Sequence, residues 1–173
     1  MAAHTASMGA SLPPEPAMEL QQLFVEDHRH CEALLDALRD HVRRGHIVDA
    51  WRGCVSLRLT LENHLEAEEE ELFPCFERVT GITHGTTDLM LAEHGRMREL
   101  MNQMAGALGA GDCEAAMDRI ASLEALLAQH SRKEEYLVYT VCASPEADLG
   151  ALERALRHHW HRTPTQGPDS PRQ

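Results

Sequence analysis

The sequence predicts an all-α fold: an up-down-up-down four-helix bundle built from two repeated helical hairpins, with a short C-terminal helix added. Three observations lead there. Four long stretches carry apolar residues at the 3.6-residue period of a helix with one buried face. The connections between them are short, which favours antiparallel neighbours. The chain also repeats itself at a shift of 66 residues, with no gap. No stretch reads as a strand.

Residues 1–17 hold three prolines and little that packs, and are expected to form a flexible leader. The first helix runs from Met18 to about Arg43 with Leu20, Leu23, Phe24, His28, Cys31, Leu35, Leu38 and Val42 on one face, and Gly45 ends it. The second stripe is Trp51, Cys54, Leu57, Leu61, His64, Glu68 and Leu72, with Pro74 stopping or kinking the helix. After the loop "TGITHGTTD", Thr87 or Asp88 is a candidate cap. The third helix aligns Leu89, Met90, His94, Met97, Met101, Met104 and Leu108. "GAGD" then makes a tight connection with Asp112 as N-cap, and the fourth stripe reads Met117, Ile120, Leu123, Leu127, His130, Glu134, Val138 and Val141. Ser144-Pro145 is expected to open a short fifth helix from Glu146 to about Trp160, because proline suits a first helical turn. The folded unit is thus placed at 18–160, with a disordered polar tail over 161–173.

Each long helix has a histidine where a core residue belongs, and the second and fourth add a glutamate one turn later. The 66-residue shift lays His28 on His94, His64 on His130 and Glu68 on Glu134. Residues four apart share a helix face, so His64 with Glu68 and His130 with Glu134 each address one point. Facing helices bring in His28 and His94. Two buried carboxylates are costly and repel one another, and two cations remove that cost. Glu66, Glu69 and Glu70, from the same acidic run, are read as a solvated face. Imidazole and carboxylate donors without thiolate suit iron first, with manganese or zinc as weaker choices. A ferritin-like site would need glutamate three residues before histidine, where this chain has Val25, Leu61, Leu91 and Leu127.

The segments "EDHRHCEALLDAL", "NHLEAEEEELFP", "AEHGRMRELMNQM" and "QHSRKEEYLVY" together resemble the hemerythrin-like, or HHE cation-binding, domain over about residues 18–143. The resemblance implies a bundle holding two iron ions in a non-haem, oxo- or hydroxo-bridged centre. In it His28, His64, His94 and His130 would be terminal ligands, and Glu68 and Glu134 would bridge. Oxygen carriers of that family have a fifth histidine on the third helix, where the positions four from His94 are Met90 and Arg98. They also end in His-x-x-x-x-Asp, unlike His130-x-x-x-Glu134. A related family that repairs iron–sulfur centres has a cysteine-bearing N-terminal region, and residues 1–17 here contain no cysteine. The expected function is binding of oxygen or nitric oxide in sensing, storage or stress response. The alternative is a di-iron redox enzyme that oxidises ferrous iron, decomposes peroxide or nitric oxide, or repairs iron–sulfur centres.

The expected partner is therefore a small molecule: oxygen, nitric oxide or peroxide. With 16 basic and 28 acidic residues, a net charge of −12 argues against nucleic acid or an anionic membrane. Five scattered cysteines without a Cys-x-x-Cys pair fit reduced thiols in a cytoplasm. Cys31 either lines the metal pocket or packs as a small apolar residue. Tyr139 is read as packing, "RHHWH" (157–161) as an exposed helix end, and the histidines at 4, 30, 41, 46 and 84 as surface or loop.

Overall fold

The computed structural model describes residues 15–160, and all regular structure among them is helical. Helix α1 spans Glu15–Arg43 and α2 Ile47–Ala67; a π-helical segment, Glu68–Leu72, joins α2 to α3, Phe73–Thr80. Then come α4, Thr86–Gly109, α5, Cys113–Ala143, and α6, Leu149–Trp160. Helix α1 packs on α2 and α5, and α4 packs on α5 and α2, so the four form a ring of neighbours. Helix α6 lies across α2, the π segment and α1. No helix among the described residues is long and apolar enough to cross a membrane.

Several ends differ from the sequence expectation, each for a local reason. Helix α1 begins three residues before Met18, because Ala17 is already buried. The rest of the expected leader, and the tail from 161, lie outside the described residues. Pro74 does not stop the second helix. The π segment loosens the winding just before it, with the Phe73 amide donating to the Glu68 carbonyl, and α3 continues to Thr80. Gly81 then turns into the left-handed region at φ 70°. Thr87 does not cap α4, and Asp88 caps it from inside the first turn rather than from the N-cap position. The helix starts behind Gly85, whose amide donates to Asp88 Oδ2 at 3.0 Å, while the Thr87 hydroxyl donates to Glu77. Asp112 does cap α5, accepting from the Ala115 amide at 3.0 Å. Helix α6 starts at Leu149 rather than Glu146. Asp148 accepts from the Ala151 amide at 2.9 Å and so sets the start, leaving Pro145 in the preceding turn.

Two apolar clusters fill the interior. One joins Leu35, Leu38, Leu57, Leu61, Met97, Met101, Met104, Ile120 and Leu123; the other joins Leu20, Phe24, Leu72, Phe73, Phe76, Met90, Leu137, Val141 and Leu156. On every long helix the inward histidine falls between residues of the two clusters, so a polar layer divides the core. The stripes erred at Trp51 and Leu89, which are 45% and 51% exposed, and Tyr139, read as packing, is 66% exposed.

Candidate metal centre

His64, Glu68, His94, His130 and Glu134 are all buried to within 1% of full enclosure. Donor atoms of His64, Glu68, His130 and Glu134 lie within 4.8 Å of one another. His28 joins them through Nε2, 2.7 Å from Glu134 Oε2, and His94 through Nε2, 3.1 Å from Glu68 Oε2. The structure thus brings together all six residues singled out by the repeat.

They are arranged as two imidazole pairs. His28 and His64 have ring centroids 5.2 Å apart, and His94 and His130 4.8 Å apart. Glu68 reaches both pairs. Its Oε1 is 2.6 Å from His64 Nε2, while its Oε2 is 3.1 Å from His94 Nε2 and 3.2 Å from His130 Nε2. Glu134 Oε2 faces His28 and His64, and its Oε1, fully enclosed, has no hydrogen-bond donor. Glu68 Oε1 also lacks an aligned donor, despite its short approach to His64. Buried carboxylate oxygens without donors are costly, and two of them among converging imidazole nitrogens suit cations. The residues present fit a metal centre.

Behind three of the rings stand carboxylates that sequence reasoning missed. Asp27 Oδ2 is 2.7 Å from His64 Nδ1, Glu69 Oε1 is 2.7 Å from His94 Nδ1, and Glu93 Oε2 is 3.3 Å from His130 Nδ1. At His94 and His130 the carboxylate accepts at Nδ1, which keeps the proton there and turns the Nε2 lone pair inward; at His64 the Asp27 approach is short but not aligned as a hydrogen bond. Glu69 is therefore not part of a solvated face: it accepts from His94 and from Arg98, which also holds Glu62. Lys133 pairs with Glu93 in the same supporting role. A signal was present. Asp27 and Glu93 fall on each other under the 66-residue shift, each directly before an inward histidine.

The charges follow from this packing. Burial pushes His64 toward neutrality, but the Glu68 charge and the contact with Asp27 outweigh it and hold its pKa well above the usual range. His130 is raised in the same way, by Glu68 against burial. Burial also disfavours the Glu68 anion, yet His64, His130 and His94 hold its carboxyl well below the usual range. Glu134 moves up, through burial and the neighbouring Glu68 charge. Burial pushes the Cys31 thiol up to about 12, so it stays protonated and packs as a small apolar side chain.

Two further contacts correct sequence expectations. His159 is buried, its Nε2 3.4 Å from Glu70 Oε2, so "RHHWH" is not simply an exposed end. Beside it, Trp160 lies nearly parallel to the His64 ring, 16° off plane at 5.9 Å, and edge-on to Phe24. On the other pair, Phe73 covers His94 at 5.4 Å.

A family model for the hemerythrin HHE cation binding domain matches residues 20–142. The chain belongs to that family. Among curated proteins and solved structures nothing matches. Domains of this family bind metal cations, typically iron, and the chain has a buried histidine and glutamate site of that kind.

The two halves of the centre differ in exposure. His94 is fully enclosed, whereas the His28 side chain is 19% exposed. His28 borders a cavity of about 490 Å³ with Phe24, Arg132, Glu134, Tyr136 and Tyr139. A second cavity of about 300 Å³ also touches His28, together with Cys31, His64 and Leu127.

Proposed function

We propose that His28, His64, His94 and His130 are terminal ligands, and Glu68 and Glu134 bridging ligands, of two iron ions. The centre would bind a diatomic molecule, oxygen or nitric oxide, in sensing, storage or stress response. One observation carries the proposal: Glu68 directs one oxygen to the first imidazole pair and the other to the second. A single carboxylate spanning two nitrogen pairs is the geometry a pair of cations needs. When bound, iron supplies redox-active positions open to small ligands. The protein's own residues do the rest. Asp27, Glu69 and Glu93 fix ring orientation, the two apolar clusters exclude water from either end, and the His28 side provides the entrance.

Iron is preferred over manganese or zinc because the donors are imidazole and carboxylate, with the nearest thiol protonated. The ring of packed helices and the short connections support an up-down-up-down bundle, with α6 completing one folded unit over 18–160. The strong negative charge supports a small-molecule partner over nucleic acid or membrane. Free cysteines at 31, 54, 75, 113 and 142 suit a cytoplasmic setting.

The test is metal analysis of iron-replete protein, with His94→Ala as control, followed by anaerobic reduction and exposure to oxygen, nitric oxide or peroxide. Two irons per chain and a reversible absorbance change support binding. Repeated turnover would replace it with the redox-enzyme alternative. A metal-free protein would sink both.

A further inference from the structure

At the α1–α2 turn, far from the buried centre, His41, His46 and Asp49 gather with donor atoms within 4.8 Å of one another. His41 lies roughly 20 Å along α1 from His28 by helical rise. The turn itself holds the group. Gly45 adopts φ 70°, and the His46 amide donates to the His41 carbonyl at 2.9 Å, closing the end of α1. That bond brings the two imidazoles to 6.3 Å between centroids, and the first turn of α2 adds Asp49. The rings are not buried against each other: His41 is half-buried, while His46 and Asp49 are exposed.

His46 occupies the N-cap of α2 but makes no side-chain cap hydrogen bond. The 66-residue shift places it on Asp112, which does cap α5. His41 and Asp49 fall on Ala107 and Ala115, so the second hairpin makes the same turn without any of the three. A histidine at a cap position where aspartate, asparagine or serine would satisfy the helix is a local loss with no packing gain. A ligand role accounts for it. Asp49 otherwise meets Arg52 at 3.4 Å in an exposed pair, which a cation would readily displace. The positive N-terminal end of α2 opposes a cation, and the Asp49 charge together with the carbonyl end of α1 offsets that.

We propose that His41, His46 and Asp49 form a second cation site, separate from the interior one, for a borderline divalent ion such as zinc. Two imidazoles and one carboxylate leave the fourth tetrahedral position to solvent or to an incoming donor. The site is open, so exchange with the surrounding solution is expected to be fast. It does not depend on what the interior centre holds.

The experiment is zinc titration of the iron-loaded protein by equilibrium dialysis and competition with a chromophoric chelator, comparing wild type, His41→Ala and His46→Asn. Wild type should take up one more zinc per chain than either variant, with affinity at least tenfold higher, and iron content should be equal in all three. Without zinc, His46→Asn should melt at or above the wild-type temperature, since asparagine caps α2. Zinc should raise the melting temperature of wild type and not of His46→Asn. Equal zinc uptake by wild type and His46→Asn, or no extra zinc on wild type, overturns the proposal. Because the comparison is between variants far from the buried centre, it reads the surface site even if the interior holds no iron.

Discussion

Asp27 stands 2.7 Å from Nδ1 of His64, reaching from α1 to α2 behind the imidazole. The pair recurs in the second hairpin, where Glu93 on α4 backs His130 on α5. The repeat therefore duplicates the supporting carboxylates as well as the inward rings. Removing such a support lowers metal affinity by roughly 10- to 100-fold. Asp27→Asn and Glu93→Gln should each show that loss in metal titration, with helix content by circular dichroism unchanged. Wild-type affinity in both variants would mean the carboxylates merely neutralise charge.

Glu68 and Glu134 should behave oppositely in the metal-free protein. The folded state holds the Glu68 carboxyl down and pushes Glu134 up. Glu68→Gln removes the counter-charge of His64 and should lower the metal-free melting temperature at neutral pH. Glu134→Gln removes a carboxyl whose ionisation the fold disfavours and should raise it. Both variants should lose metal. Thermal melts with chelator present check the pair, and two shifts of the same sign would contradict it.

The pH dependence has a definite sign above about pH 6.5, the ordinary histidine pKa. His64 and His130 are raised in the folded protein, so their stabilisation is complete below that pH and is lost as pH climbs through the raised values. Glu134, also raised, contributes in the same direction, from the ordinary carboxylate range (about 4.3) upward. Glu68, Glu69 and Glu93 are lowered, so their contribution is lost only on the acid side. Metal-free protein should therefore lose stability from neutral to alkaline pH. Metal affinity should rise over the same range, because ligation expels the imidazole protons. Melting curves and metal titrations across that range test both slopes.

Trp160 ties α6 to the centre through Phe24 and His64. Trp160→Ala should destabilise the protein by about 3 kcal/mol, the low end for truncating a large packed aromatic. It should weaken metal binding less than Asp27→Asn does, since His64 keeps its carboxylate partner. Chemical denaturation and metal titration together separate the two effects.

The six inward residues were legible because burial forces period on a helix: His28 and Glu134 stand where leucine would. The helix ends and the supporting residues were harder. Glu69 sits in a run of acids in which composition does not distinguish the one turned toward His94 from those facing water. Whether a carboxylate reaches across to a ring is set by interhelical distance, which no single helix encodes. His159 and Trp160 looked like a polar terminus because they close the last turn of α6 within a basic, histidine-rich run, although His159 shares the buried face of Leu152 and Leu156. Its burial comes from the α2 surface beneath it.

The π segment has a consequence for symmetry. Winding Glu68–Leu72 loosely acts like one extra residue and turns everything after it by about 100° relative to the regular α5. Phe73 is thereby rotated inward over His94, while Tyr139, its counterpart in the repeat, points outward beside the His28 cavity. A chain whose two halves align without insertion thus becomes a sided molecule, sealed at one imidazole pair and with a vestibule at the other. Visitors from solution would meet the first hairpin's histidine before the second's, so a twofold motif ends up with a front and a back.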